Sequence, residues 1–155
     1  MIYRITPEEL TSKDIGVKDV FVFGSNESGI HGSGAARFAN KELDAKWGIG
    51  FGNTGDCFAI PTKDWDVKVL PLDVIQFYIN RFIASTKMYP QLRYYVTKVG
   101  CGLAGYTPAQ IAPLFKDAVD LENIYLPQEF WDVLQYRENK FEIDQEVQQM
   151  KELYG

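Results

Sequence analysis

The apolar positions of this chain fall into short runs punctuated by glycine and proline, and their period switches repeatedly between that of a strand and that of a helix. Ile2 to Ile5 alternates apolar and polar residues, which predicts a short strand. Thr6, Pro7 and Glu9 then read as a helix start, with proline at the first position and a capping-box acid. Val20, Phe21, Val22 and Phe23 are β-branched or aromatic without an intervening charge, the pattern of a strand buried on both faces. A glycine-rich loop follows from Gly24. From Gly34 the residues Ala35, Ala36, Phe38, Ala39 and Leu43 recur at helical spacing. Trp47 to Gly55 holds too many glycines for regular structure and predicts an irregular, mobile loop placed to lie over a ligand.

The second half repeats the alternation. Cys57 to Ile60 predicts a strand ending at Pro61. Pro71 with Leu72, Ile75, Ile79, Phe82 and Ile83 predicts an amphipathic helix of about four turns. Tyr94 to Val99 predicts another strand, running into Gly100, Gly102 and Gly105. Thr107 and Pro108 open a helix carrying Ile111, Leu114, Phe115 and Val119. Asn123 to Leu126 reads as a last strand, followed by a short helix in PQEFWDVL and a separate polar, acidic one from Asn139 to Tyr154. Strands alternating with helices at this spacing predict an α/β sheet with helices on both faces. Ligands of such sheets sit outside the carboxyl ends of the strands. The loops 24–34, 61–65 and 100–106 are expected to meet there.

Composition narrows the function classes. At 155 residues one domain is expected, and 46% apolar with 14% aromatic residues is the composition of a folded globular chain. A formal charge of −5 argues against a grip on a nucleic-acid backbone, while leaving room for a local basic pocket. The opening residues show no signal peptide, and no apolar run is long enough to span a bilayer, so a cytoplasmic protein without membrane contact is expected. One histidine, two isolated cysteines and no CxxC give no metal-ligand spacing, and neither a metal nor a cofactor is expected. Cys57 and Cys101 read as buried free thiols.

The strand, glycine loop and helix between Asp19 and Phe38 have the layout of an anion site. Gly29, Gly32 and Gly34 allow positive φ or close approach of a ligand, and Ser25, Asn26 and Ser33 supply short polar groups. The GxGxxG fingerprint is absent, and although Lys63 and Lys98 each follow a threonine, neither stands in a GKS/T sequence. His31, inside the loop, would serve as acid, base or phosphate donor, or would fix the turn by a local hydrogen bond. Lys63 would neutralise a phosphate or act as a nucleophile, or pair with Asp64.

SNESGIHGSGAARFA, CFAIPTKDW and YYVTKVGCGLAGYTPAQIAPLF together resemble the macro domain family, which binds ADP-ribose on a three-layer α/β/α fold with a mostly parallel mixed sheet. The resemblance covers about residues 1 to 126. The GSN–GIHGSGAA phrase is also similar to that of uncharacterised bacterial and phage proteins. The resemblance implies a single macro-like domain over residues 1–155, with 127–155 as a helical extension packed on it. It implies an ADP-ribose or related nucleotide ligand, with Asn26 at the distal ribose, the N–H groups of Gly32, Ser33, Gly34 and Ala35 at one phosphate, and Gly102, Leu103, Gly105 and Tyr106 at the other; Gly24, Ser25, Gly29, Gly100 and Cys101 are the further ligand-binding candidates. Asp56 would meet adenine or ribose if the 47–55 loop folds over the site, or would be a solvated turn residue ahead of the strand. Tyr106 would stack on a ribose or base, or pack against the following helix.

An ADP-ribosyl hydrolase would draw on His31 and Lys63. The branch that uses a lysine carries an aspartate after its Gly-Leu pair, where this chain has Ala104. The alternative is an accessory protein that works through protein partners and keeps only a vestigial cleft. The apolar residues Phe141, Ile143, Val147, Met150 and Leu153 make no clean heptad, and that last helix is expected to pack on the domain or on a second subunit.

Overall fold

The computed structural model describes the backbone of residues 3–154 and the side chains of 3–135 and 142–154; Ile2 and the side chain of Phe141 lie outside that range. It is an α/β protein built on one five-stranded, mostly parallel mixed sheet with helices on both faces, the three-layer arrangement expected from the alternation of periods. The strands are β1 (Asp19–Asn26), β2 (Gly52–Thr54), β3 (Cys57–Lys63), β4 (Arg93–Val96) and β5 (Ile124–Tyr125), in the spatial order β2-β3-β1-β4-β5. Strand β1 lies at the centre, parallel to β3 and β4, and only β2 runs antiparallel.

The alternation within β1 builds both cores. Phe21 and Phe23 face the helix α1 (Gly34–Glu42), packing with Ala36, Ala39 and Leu43. Val20 and Val22 face the other side, where α2 (Leu72–Lys87), α3 (Pro108–Ile111) with the 3-10 segment after it, and α4 (Gln128–Tyr154) cover the sheet. Phe82 of α2 is fully buried among Phe58, Tyr94 and Phe115. Burial of an aromatic side chain of this kind contributes about 1.5–3 kcal/mol.

Several expectations are corrected. The first segment makes a single parallel bridge, Ile5 to Leu126, and no helix starts at Thr6. The capping acid is Asp14, which binds the Thr11 N–H at 2.7 Å and nucleates only a 3-10 turn at Ser12–Asp14. Within the expected 47–55 loop, Gly52–Thr54 pairs with β3 across a tight turn at Gly55 and Asp56. Strand β3 continues through Pro61, whose missing N–H is tolerated because the parallel ladder with β1 shifts register just beyond it. The helix opened by Thr107 and Pro108 is α-helical only to Ile111; Pro113 cannot donate to an i−4 carbonyl, and the chain continues as a 3-10 segment over Ala112–Ala118. The two expected C-terminal helices are one, α4. No helix among the described residues is long and apolar enough to cross a membrane.

Candidate functional site

The chain leaves β1 toward α1 on one face of the sheet and leaves β4 toward α3 on the other. The connections therefore diverge at the carboxyl end of β1, and a crevice opens between them. A cleft of about 460 Å³ occupies it. One wall is formed by Gly24, Ser25, Asn26, Gly32, Ser33, Gly34 and Ala35, and the facing wall by Gly100, Cys101, Gly102 and Leu103, and Lys63, at the end of β3, also lines the cleft. The three loops expected to converge do so.

Both walls present backbone donors. Ser33 at the N-cap of α1 makes no side-chain capping bond, and the N–H groups of Gly34, Ala35 and Ala36 have no acceptor among the described residues. Opposite, the N–H groups of Gly102, Leu103 and Ala104 are likewise without an acceptor there. Gly100 turns this second loop with φ +77°, and a Cβ on it would come within 2.9 Å of Ile111 Cδ1. The cleft lining holds two lysines, Lys63 and Lys98, and no carboxylate, so its charge is opposite to the chain's net −5. Lys63 has no carboxylate within ion-pair distance among the described residues, because Asp64 accepts instead from the N–H groups of Asp66 and Lys68. Lys98 is held by Glu129 at 2.8 Å.

Sequence reasoning passed over several residues of the site. Thr62, next to last in β3, and Thr97, just past β4, lie on either side of β1, and their hydroxyls donate to β1 carbonyls, those of Ser25 at 3.3 Å and Val22 at 2.7 Å. These bonds brace the central strand where it enters the cleft. The repeated Thr-Lys pair, 62–63 and 97–98, was the available signal. Val67, at the mouth, holds φ +62°, a conformation that costs a β-branched residue about 1–3 kcal/mol and that concentrates at functional sites.

Five candidates stand elsewhere. His31 is 2% exposed and turned out of the cleft: its ring packs edge-on to Phe23 and Trp47, and Nε2 donates to Ile49 O at 3.2 Å. Asp56 lies at the amino end of β3, at the edge of the sheet opposite the cleft, where its backbone bonds Leu43 and Phe21. Gly29 packs against Gly48 behind the loop. Tyr106 donates its hydroxyl to Leu70 O at 2.6 Å and braces the β3–α2 connection, with Gly105 turning the chain before it. The 47–50 segment does not lie over the cleft but buttresses the back of the 25–31 loop, Ser25 Oγ donating to Gly50 O. Asn26 lines the cleft, yet its side chain is already committed to that loop, accepting from Ile30 N at 2.8 Å and donating to Ile30 O at 2.9 Å. Cys101 lines it as a protonated thiol, pushed up to about 11 chiefly by burial, and Cys57, away from the cleft, is pushed up to about 12 for the same first reason.

His31 carries a pH prediction. Donation from Nε2 leaves Nδ1 buried with no partner, so the protonated form would place a second N–H where nothing accepts it. Burial accordingly lowers its pKa, outweighing the opposing bond to Ile49. The unfolded chain binds a proton near pH ~6.5 that the folded chain refuses, so stability is intact above that pH and falls as pH drops below it, by about 1.4 kcal/mol per unit of depression. Thermal unfolding followed from neutral to acid pH should show this loss in the wild type and its attenuation in His31→Phe. An identical acid-side slope in the two proteins would show that His31 is not the group responsible.

A second cavity of about 400 Å³ adjoins the first across Gly34, Ala35, Thr97 and Lys98. Phe21, Phe38 and Leu10 give it apolar walls, and Glu8, Gln128 and Glu129 polar ones. Thr6, 5% exposed, lines it with a buried Oγ1 that has no hydrogen-bond partner among the described residues. The N-terminus of α1 thus stands on the boundary of both cavities. Compared with models of known protein families, with curated proteins and with solved structures, the chain gives no match in any of the three.

Proposed function

We propose that the protein binds ADP-ribose or a closely related nucleotide whose diphosphate sits between the two glycine-rich loops. The observation that carries this reading is the pair of facing walls of N–H groups, Gly34 to Ala36 and Gly102 to Ala104, that have no acceptor among the described residues, beside a Lys63 that has no ion-pair partner among them. Such donors fit an anion with oxygens on two sides, and the dipole of α1 adds to the attraction. The adjoining cavity supports a ligand with a second bulky end: a diphosphate at the α1 N-terminus can carry one group into each. Phe21 and Phe38 would take the apolar faces of a base, and Thr6 Oγ1 its polar edge.

Binding is favoured over hydrolysis. With His31 turned away, the cleft lining holds no carboxylate or imidazole among the described residues to activate a water, and burial keeps its Cys101 thiol protonated.

Isothermal titration calorimetry with ADP-ribose, AMP and NAD tests the reading. Micromolar affinity selective for ADP-ribose is expected, and Lys63→Met should weaken it about fivefold, the effect of one solvent-exposed ion pair, with the difference shrinking as salt rises. Absence of heat with all three ligands would overturn it.

A further inference from the structure

We infer that the distal part of α4 is a self-association helix that pairs with the same segment of a second copy of the chain. Helix α4 is anchored to the domain at its start, where Phe130, Trp131 and Leu134 are buried in the core. From 142 to 154 every described side chain is exposed. An isolated helical stretch of this length is marginal in water, so a packing partner is the ordinary source of its stability. The uninterrupted helix reveals a register that the five apolar residues considered from sequence alone obscured: Ile143, Val147, Met150 and Tyr154 follow one another at spacings of four, three and four. That is the d-a-d-a seam of a coiled coil, and its members are 57%, 44%, 59% and 84% exposed.

The charges beside the seam identify the occupant. With Val147 at a, Glu146 falls at g and Asp144 and Lys151 at e. In a parallel pair Glu146 of one helix meets Lys151 of the other; in an antiparallel pair Asp144 meets Lys151. Beside the seam each helix thus offers the other one acid–base pair whichever way the two copies run, within a stretch that carries four carboxylates (Glu142, Asp144, Glu146, Glu152) and one lysine. This association involves neither the cleft nor its loops.

Sedimentation velocity of the full chain over roughly a hundredfold range of concentration is the test. The wild type should move from monomer to dimer. Val147→Asp, a surface change expected to leave the thermal unfolding of the domain unaltered, should weaken association at least tenfold by placing a charge in the seam. Lys151→Glu should weaken it several-fold at low salt, with association restored by adding Glu146→Lys if the helices run parallel or Asp144→Lys if they run antiparallel. A wild-type chain that stays monomeric throughout, or a dimer indifferent to Val147→Asp, would overturn the inference.

Discussion

Replacing Gly102 by Val should reduce nucleotide affinity at least a hundredfold while leaving the unfolding transition where it is. Gly102 lines the cleft, its backbone φ is not in the left-handed region, and a Cβ built on it meets no atom within 4 Å. The added isopropyl group therefore costs the fold little and occupies space at the wall where the proposed diphosphate would approach the Gly102 to Ala104 donors. Loss of one close-range hydrogen bond to a charged ligand costs about 1.5–3 kcal/mol, and steric exclusion from a wall of donors removes more than one. Gly32→Val applies the same test to the facing wall, since Gly32 too borders open space. Titration calorimetry on variants whose thermal unfolding matches wild type would check both. If both variants bound ADP-ribose as tightly as the wild type, the ligand would not lie between these loops, and the two-wall assignment would fall.

The layers were legible because burial is periodic in sequence. Val20–Phe23 and the series Ile75, Ile79, Phe82, Ile83 each signal one element regardless of what packs on them, and all are buried. Boundaries that depend on competition were harder to read. Glycine density masked β2, although Thr54-Gly55-Asp56-Cys57 has the composition of a two-residue hairpin turn. The apolar pattern of α4 lapses after Leu134, which suggested a break, but no glycine or proline interrupts residues 128–154 and straight-chain residues of good helix propensity carry the helix on. Conversely, Pro113 was a visible interruption that the apolar spacing of Ile111, Phe115 and Val119 overrode.

The site divides along the same line. Glycines following β1 and β4 mark the cleft because local chemistry and the parallel topology suffice to place them. The fate of His31 required knowing that the 47–50 segment, some 18 residues away in sequence, folds back against the 25–31 loop, and nothing local encodes that approach. A histidine among glycines and serines has the composition of an exposed catalytic loop; its burial follows from a tertiary contact. Asp56 is the exposed turn residue that an acid just before a strand usually is, and the β2–β3 hairpin sets it at the amino end of β3, away from the cleft.

That tertiary contact predicts the largest loss of stability. Gly29 holds φ +74°, and a Cβ there would overlap Gly48 C and Ile49 N, backbone atoms that cannot rotate aside. Moving them would break the bond from Gly48 N to Gly29 O at 2.9 Å and disturb those joining His31 to Ile49 and Ser25 to Gly50. Gly29→Val should therefore destabilise the protein by more than about 4 kcal/mol, through strain in the left-handed region and the lost hydrogen bonds together. Chemical denaturation should show a midpoint shifted far down or no cooperative transition at all. Gly102→Val is the matched control: it makes the same chemical change where space is open, and it should lose ligand without losing the fold. A Gly29→Val protein within about 1 kcal/mol of wild type would mean that the two loops are not in contact, and that the wall of the cleft they build is held by something else.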